Sequence, residues 1–125
     1  MGQLKHLPDA EFEIMRIVWG QSGPIGSGEI EKLLSEVKVR HISTINTLLR
    51  RLVSRGFLSA EKRGKELIYS PMVSHDDYIN AETEYFMKKI HNTSLIGFIN
   101  AFYSNKKPSD EDIAEMEEWL SERND

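Results

Sequence analysis

The chain has 125 residues and a mass of 14.4 kDa, enough for one domain or for a small domain with an appendage. Hydrophobic residues make up 39 % and charged residues 29 %, a globular rather than a disordered composition. Cysteine is absent, which excludes disulfides, zinc fingers, thiolate metal sites and a cysteine nucleophile, and no apolar run approaches the ~20 residues of a membrane helix.

The formal net charge of −4 argues at first sight against a nucleic-acid partner, but it hides a gradient. Residues 1–72 carry 11 Lys and Arg against 8 Asp and Glu, a net of +3; residues 73–125 carry 5 against 12, a net of −7. Between residues 38 and 65 stand eight cations (Lys38, Arg40, Arg50, Arg51, Arg55, Lys62, Arg63, Lys65) and one anion, Glu61. The first residues, Met1 to His6, lack the apolar core of a signal peptide, and His6 replaces the Ser or Thr that myristoylation of Gly2 would need. A cytoplasmic location is expected.

In chain order, the first helix is expected to start at Asp9 as N-cap, with Glu11 and Glu13 favouring its first turn by charge. Phe12, Met15 and Trp19 share one face, with Ile14 and Val18 beside them. Glycines from Gly20 to Gly26 break the pattern. A short second helix follows from Ser27, its buried stripe being Ile30, Leu33, Leu34 and Val37. The third runs from Ser43 to Arg55 and stops at Gly56. Its apolar stripe, Ile45, Leu48, Leu49 and Leu52, leaves Ser43, Asn46, Thr47, Arg50 and Ser54 on the opposite face, flanked by Thr44 and Arg51. Two strand-like runs, Phe57–Lys62 and Glu66–Ser70, then surround Arg63-Gly64-Lys65 and predict a hairpin with a basic tip, ended by Pro71.

The remainder reads as three helices. Ser74 caps the first, with Asp77 in a capping-box-like position, and Ile79, Tyr85, Phe86 and Ile90 form its apolar face. Leu95, Phe98, Ile99, Phe102 and Tyr103 mark the second; Ser109 caps the third, which is expected to turn Ile113, Met116, Trp119 and Leu120 inside. The boundary is placed so that residues 1–73 form one domain and residues 74–125 a second, helical one. So short a tail cannot build a generous core alone, yet it displays many large apolar groups. Burial against a second copy is the simplest resolution, through Ile79, Tyr85, Phe86, Ile90, Leu95, Phe98, Ile99, Phe102, Ile113, Met116 and Leu120. Folding of the tail back onto the first domain is the alternative.

The fold class expected is mainly α with a small β-hairpin: a winged helix-turn-helix followed by a three-helix dimerisation region. A major groove admits an α-helix, and its base edges offer a distinguishable pattern of donors and acceptors. The residues placed to read it are Ser43, Thr44, Asn46 and Thr47 in the first half of the third helix, with Arg50 and Arg51 further along. Asn46 can pair with adenine and Arg50 with guanine. Lys62, Arg63 and Lys65 on the wing would meet the backbone or the minor groove. Enzyme readings find no support: His6, His41, His75 and His91 are scattered, and Gly20, Gly23, Gly26 and Gly28 lack a following Walker lysine. No metal site and no cofactor is expected.

These residues also carry a resemblance. Asp9-Ala10-Glu11 through Met15 to Trp19, Thr44 to Leu52, Gly56-Phe57-Leu58, and Gly64 through Tyr69-Ser70-Pro71 are similar to the penicillinase-repressor (BlaI/MecI) family of bacterial transcriptional regulators. The resemblance spans nearly the whole chain. It implies a homodimer that binds double-stranded DNA at a dyad operator and represses antibiotic-resistance genes. It also implies a partner, a membrane sensor-protease that answers β-lactam by cutting the repressor in its dimerisation region, between Asn and Phe. The register set by Ser109 to Ile113 puts that bond at Ala101-Phe102, so Ala101 stands where the family has Asn, and Asn100 lies one residue early. A branch of the family senses copper through C-terminal cysteines, which this chain lacks. Ser43 replaces a basic residue common just before the Thr of the third helix, so a different operator is expected. Two other functions fit the pattern: a small-molecule-responsive winged-helix regulator, and a winged-helix protein-interaction module.

Overall fold

The computed structural model describes residues 4–124; Gly2 lies outside them. The order is α1 (Asp9–Trp19), β1 (Ile25–Gly26), α2 (Ser27–Val37), α3 (Ile42–Ser54), β2 (Leu58–Arg63), β3 (Glu66–Pro71), α4 (His75–His91), α5 (Leu95–Phe102) and α6 (Asp110–Arg123). The architecture is mostly helical with one three-stranded antiparallel sheet of order β1-β3-β2, the winged helix-turn-helix arrangement. The chain divides into two compact units, Met1–Glu82 and Thr83–Asp125, and the division falls within α4.

In the first unit, α1, α2 and α3 enclose Ile14, Met15, Ile30, Leu34, Leu49 and Leu52, all essentially inaccessible. Asp9 is not the N-cap of α1. Pro8 holds that position with φ −58° and ψ 154°, its carbonyl accepting from the Phe12 amide at 2.9 Å, and Asp9 is already helical. The proline's fixed φ sets the helix entry without a side-chain cap. Val37 also departs from its expected place: it is 72 % exposed, because α2 ends there and the next residue, Lys38, is extended (φ −158°).

The end of α3 is set by backbone chemistry. Arg55 is its C-cap and Gly56 takes φ +83°, a left-handed conformation that costs glycine little. The Phe57 amide donates to Leu52 O at 2.9 Å and the Gly56 amide to Val53 O at 3.1 Å, the paired bonds of a Schellman motif, with Phe57 and Leu52 both buried. That turn delivers the chain into β2. The β2–β3 hairpin closes on Arg63 paired with Glu66, leaving Gly64 and Lys65 as a two-residue loop. Gly64 stands at its first position with φ +62°, the position that type II′ hairpins reserve for glycine. β1 went unexpected, since two residues carry no periodicity; Ile25 pairs with Tyr69 and Gly26 with Ile68.

The first turns of α4 are fastened to this unit by aromatic packing. Tyr78 is buried, its ring 5.8 Å from Phe12, 5.6 Å from Trp19 and 5.7 Å from Phe57 between centroids. Its hydroxyl accepts from the Leu7 amide at 3.0 Å, and Trp19 Nε1 donates to the Val73 carbonyl at 2.9 Å. Ser74 caps α4 as expected, accepting from the Asp77 amide at 3.0 Å.

In the second unit, Ser94 caps α5 through the Gly97 amide and Ser109 caps α6 through the Asp112 amide, both at 3.0 Å. No residue of α5 or α6 is buried. Ile113, Met116, Trp119 and Leu120, expected to lie inside, are exposed, because so small a unit has too little mass to enclose them. Tyr85, Phe86, Ile90, Leu95 and Phe102 are exposed with them, while Phe98 and Ile99 are half-buried. Phe98 packs between Phe86 (6.2 Å) and Phe102 (6.0 Å).

Candidate nucleic-acid interface

The buried stripe of α3 fixes which way its other face looks. With Ile45, Leu48, Leu49 and Leu52 turned into the core, Ser43, Thr44, Asn46, Arg50 and Arg51 are all exposed, and Thr47 is half-buried. Thr47 donates its hydroxyl proton to the Ser43 carbonyl at 2.9 Å, one turn back along the helix. The start of α3 is electrostatically open. α1, α2, α4 and α6 each carry acids in the first turn, whereas α3, like α5, carries none, and its N-cap His41 makes no side-chain capping bond. The positive end of the helix dipole is therefore left for an outside anion.

Further along the same face, Arg50 approaches the sheet. Burial pushes the Tyr69 phenol up, the Arg50 guanidinium pulls it back, and the Glu31 carboxylate adds to the rise, so these three side chains share one electrostatic neighbourhood. The hairpin carries Lys62, Arg63 and Lys65, all exposed. Arg63 lies 3.6 Å from Glu61, two residues back on the same face of β2. The wing is thus cationic at its tip, with two acids on its strands: Glu61 beside Arg63, and Glu66, whose carboxylate lies against Gly26 of β1.

Not every cation of the 38–65 segment faces outward. Arg40 donates to Glu13 of α1 at 2.6 Å, and Arg55 to Glu11 of α1, whose carboxylate is only 1 % exposed. These two arginines tie both ends of α3 to α1 and so orient the helix. Glu11 is the residue that the reading of α1 by hydrophobic spacing missed. It stands on the same line as Ile14, Met15 and Val18, an acid at a core position, and that placement was its signal.

Ala101 and Phe102 end α5, where both are exposed, and Lys106 Nζ lies 3.9 Å over the Phe102 ring. Among the described residues no group of three or more His, Asp or Glu is arranged to hold a metal ion, and no helix is long and apolar enough to cross a membrane.

The sequence model of the family described as Penicillinase repressor matches residues 7–122. The Penicillinase repressor of Bacillus licheniformis is 32 % identical over 122 residues, covering 98 % of this chain and 94 % of the relative. Two solved structures superpose on 62 % of this chain and 94 % of their own, each at 35 % identity. They are the DNA-binding domain of the repressor BlaI, TM-score 0.55, and the Bacillus licheniformis BlaI monomeric form in complex with the blaP half-operator, TM-score 0.53. With nearly its whole length matched, the chain belongs to the penicillinase repressor family.

Proposed function

We propose that this chain is a sequence-specific DNA-binding transcriptional repressor, acting in the cytoplasm as a homodimer on a dyad operator that controls resistance or stress genes of the β-lactam type. The observation that carries the reading is the exposed polar and cationic face of α3, with an acid-free first turn, standing beside a cationic wing. The half-operator complex of the B. licheniformis relative supports the same use of the same unit. In this reading Ser43, Thr44, Asn46, Thr47 and Arg50 reach base edges, Arg51 flanks them, and Lys62, Arg63 and Lys65 hold phosphates. The exposed apolar residues of α4, α5 and α6 pair two copies.

Release follows from loss of that pairing. The bond Ala101-Phe102 lies in the last turn of α5, exposed and at a helix end, where little structure must unwind before a sensor-protease can cut it. A fluorescence titration of the DNA upstream of the chain's own gene, at two salt concentrations, tests the main reading. Tight, salt-sensitive binding that unrelated duplex does not share is expected; equal affinity for both duplexes overturns it. Incubation with the sensor-protease followed by mass spectrometry tests the cleavage step, which an uncut chain released from DNA would refute.

A further inference from the structure

Ile42 is the first residue of α3 and is 60 % exposed. Its position on the helix makes that exposure informative. At 3.6 residues per turn it lies about 20° from the line of Leu49, two turns on, and Leu49 is inaccessible. The apolar line of α3 therefore runs off the end of the core by one turn. In that projecting turn Ile42 stands next to Asn46, its i+4 neighbour, which is exposed. A branched apolar side chain and a bidentate amide thus share one ridge at the end of the helix that lacks both an acid and a side-chain cap. Water is a poor partner for Ile42. The group in a major groove that matches it is the 5-methyl of thymine, and the group that matches Asn46 is the N6/N7 edge of adenine. An A·T pair presents both.

We propose that Ile42 is a specificity-determining residue, contacting a thymine methyl at or beside the A·T step that Asn46 reads. The inference rests on the DNA-binding function proposed above and adds to it an apolar contact at a stated atom. Ile42 sits beyond the core, so its truncation leaves the fold intact.

The test uses the full chain and removes the methyl from either side. A preferred site is first enriched from a pool of random duplexes. It is then remade with each thymine replaced singly by deoxyuridine, which keeps the base pairing and deletes the 5-methyl. The wild-type chain is expected to lose about fourfold in affinity per half-site at one thymine, the change carried by burying a single methyl group. Ile42→Ala is expected to bind the unmodified site more weakly by at least as much and to be indifferent to deoxyuridine at that position, while keeping the wild-type salt dependence. Ile42→Val should stay close to wild type. If Ile42→Ala keeps full sensitivity at every thymine, or the wild type has none, the proposal is wrong while DNA binding stands. If the wild-type chain enriches no sequence at all, the DNA-binding reading falls and this one with it.

Discussion

Glu11 of α1 and Arg55 at the C-cap of α3 form an ion pair whose carboxylate is almost wholly inaccessible while the guanidinium is about one-third exposed. Removing Arg55 alone strands a buried charge. Arg55→Ala should therefore cost about 3 kcal/mol, more than an exposed pair could. Replacing both partners with apolar residues, Glu11→Leu with Arg55→Met, should recover most of that loss. Urea unfolding of the three variants checks this; a double variant as unstable as the single one would show that the pair is not the cause.

The proposed division between base readers and phosphate holders predicts two kinds of variant. Asn46→Ala and Arg50→Ala should relax base preference by about 1–3 kcal/mol at single positions. Lys62→Ala and Lys65→Ala should weaken all duplexes about equally and flatten the salt dependence. For a dimer neutralising on the order of eight phosphates, log affinity should fall against log salt with a slope near −7. Glu61→Gln frees Arg63 from its counter-charge and should tighten binding to every sequence, most at low salt. These are read by anisotropy titration at several salt concentrations.

Tyr78→Phe removes the acceptor for the buried Leu7 amide and should cost about 1–3 kcal/mol near neutral pH. It should also change the alkaline limb of stability. Burial raises the Tyr78 phenol above its ordinary 10.0, so the unfolded chain ionises first as pH climbs. The stabilisation from keeping the phenol neutral is complete below pH 10.0 and is lost as pH rises through the raised value. The variant should lose stability less steeply as pH climbs from 10.0 through that raised value. Tyr69, raised in the same direction by burial, keeps some slope in place.

Phe86 is 42 % exposed and packs edge-on against Phe98, in the apolar surface proposed for pairing. Phe86→Asp should raise the dimer dissociation constant by on the order of 100-fold, since a carboxylate would be desolvated without a partner. Sedimentation equilibrium would show the shift to monomer, with helical circular dichroism unchanged. A variant that stays dimeric would move the interface elsewhere.

What could be read beforehand divides along physical lines. The α3 stripe, the glycine stop at Gly56 and the hairpin around Gly64 were legible because local chemistry decides them: a 3.6-residue period, a left-handed backbone position, a glycine in the turn; the loop is Gly64-Lys65 rather than Arg63-Gly64-Lys65, because Arg63 pairs with Glu66. The Ser74 and Ser109 caps were legible for the same reason. β1 was not, because it exists only through its pairing with β3. Nor was the partner of Glu11, an arginine 44 residues away, although the acid's place on the Ile14–Met15–Val18 line was a signal of its burial. Val37 carried the right spacing but ran past the body it would have packed on. Within the candidate interface the exposed face was visible in sequence, whereas the diversion of Arg40 and Arg55 onto α1 was a tertiary fact.

Thr47 shows how a single internal bond narrows a recognition alphabet. Its hydroxyl proton points at the Ser43 carbonyl, so toward the groove the side chain keeps only lone pairs and a methyl. In the proposed interface it can accept from the amino group of adenine or cytosine and can touch a thymine methyl, but it has no hydrogen to give the two acceptors of guanine. Guanine is then disfavoured opposite this residue by omission rather than by clash. A second bond onto a carbonyl that the helix already uses thus leaves the side chain fewer ways to meet a base than its formula suggests.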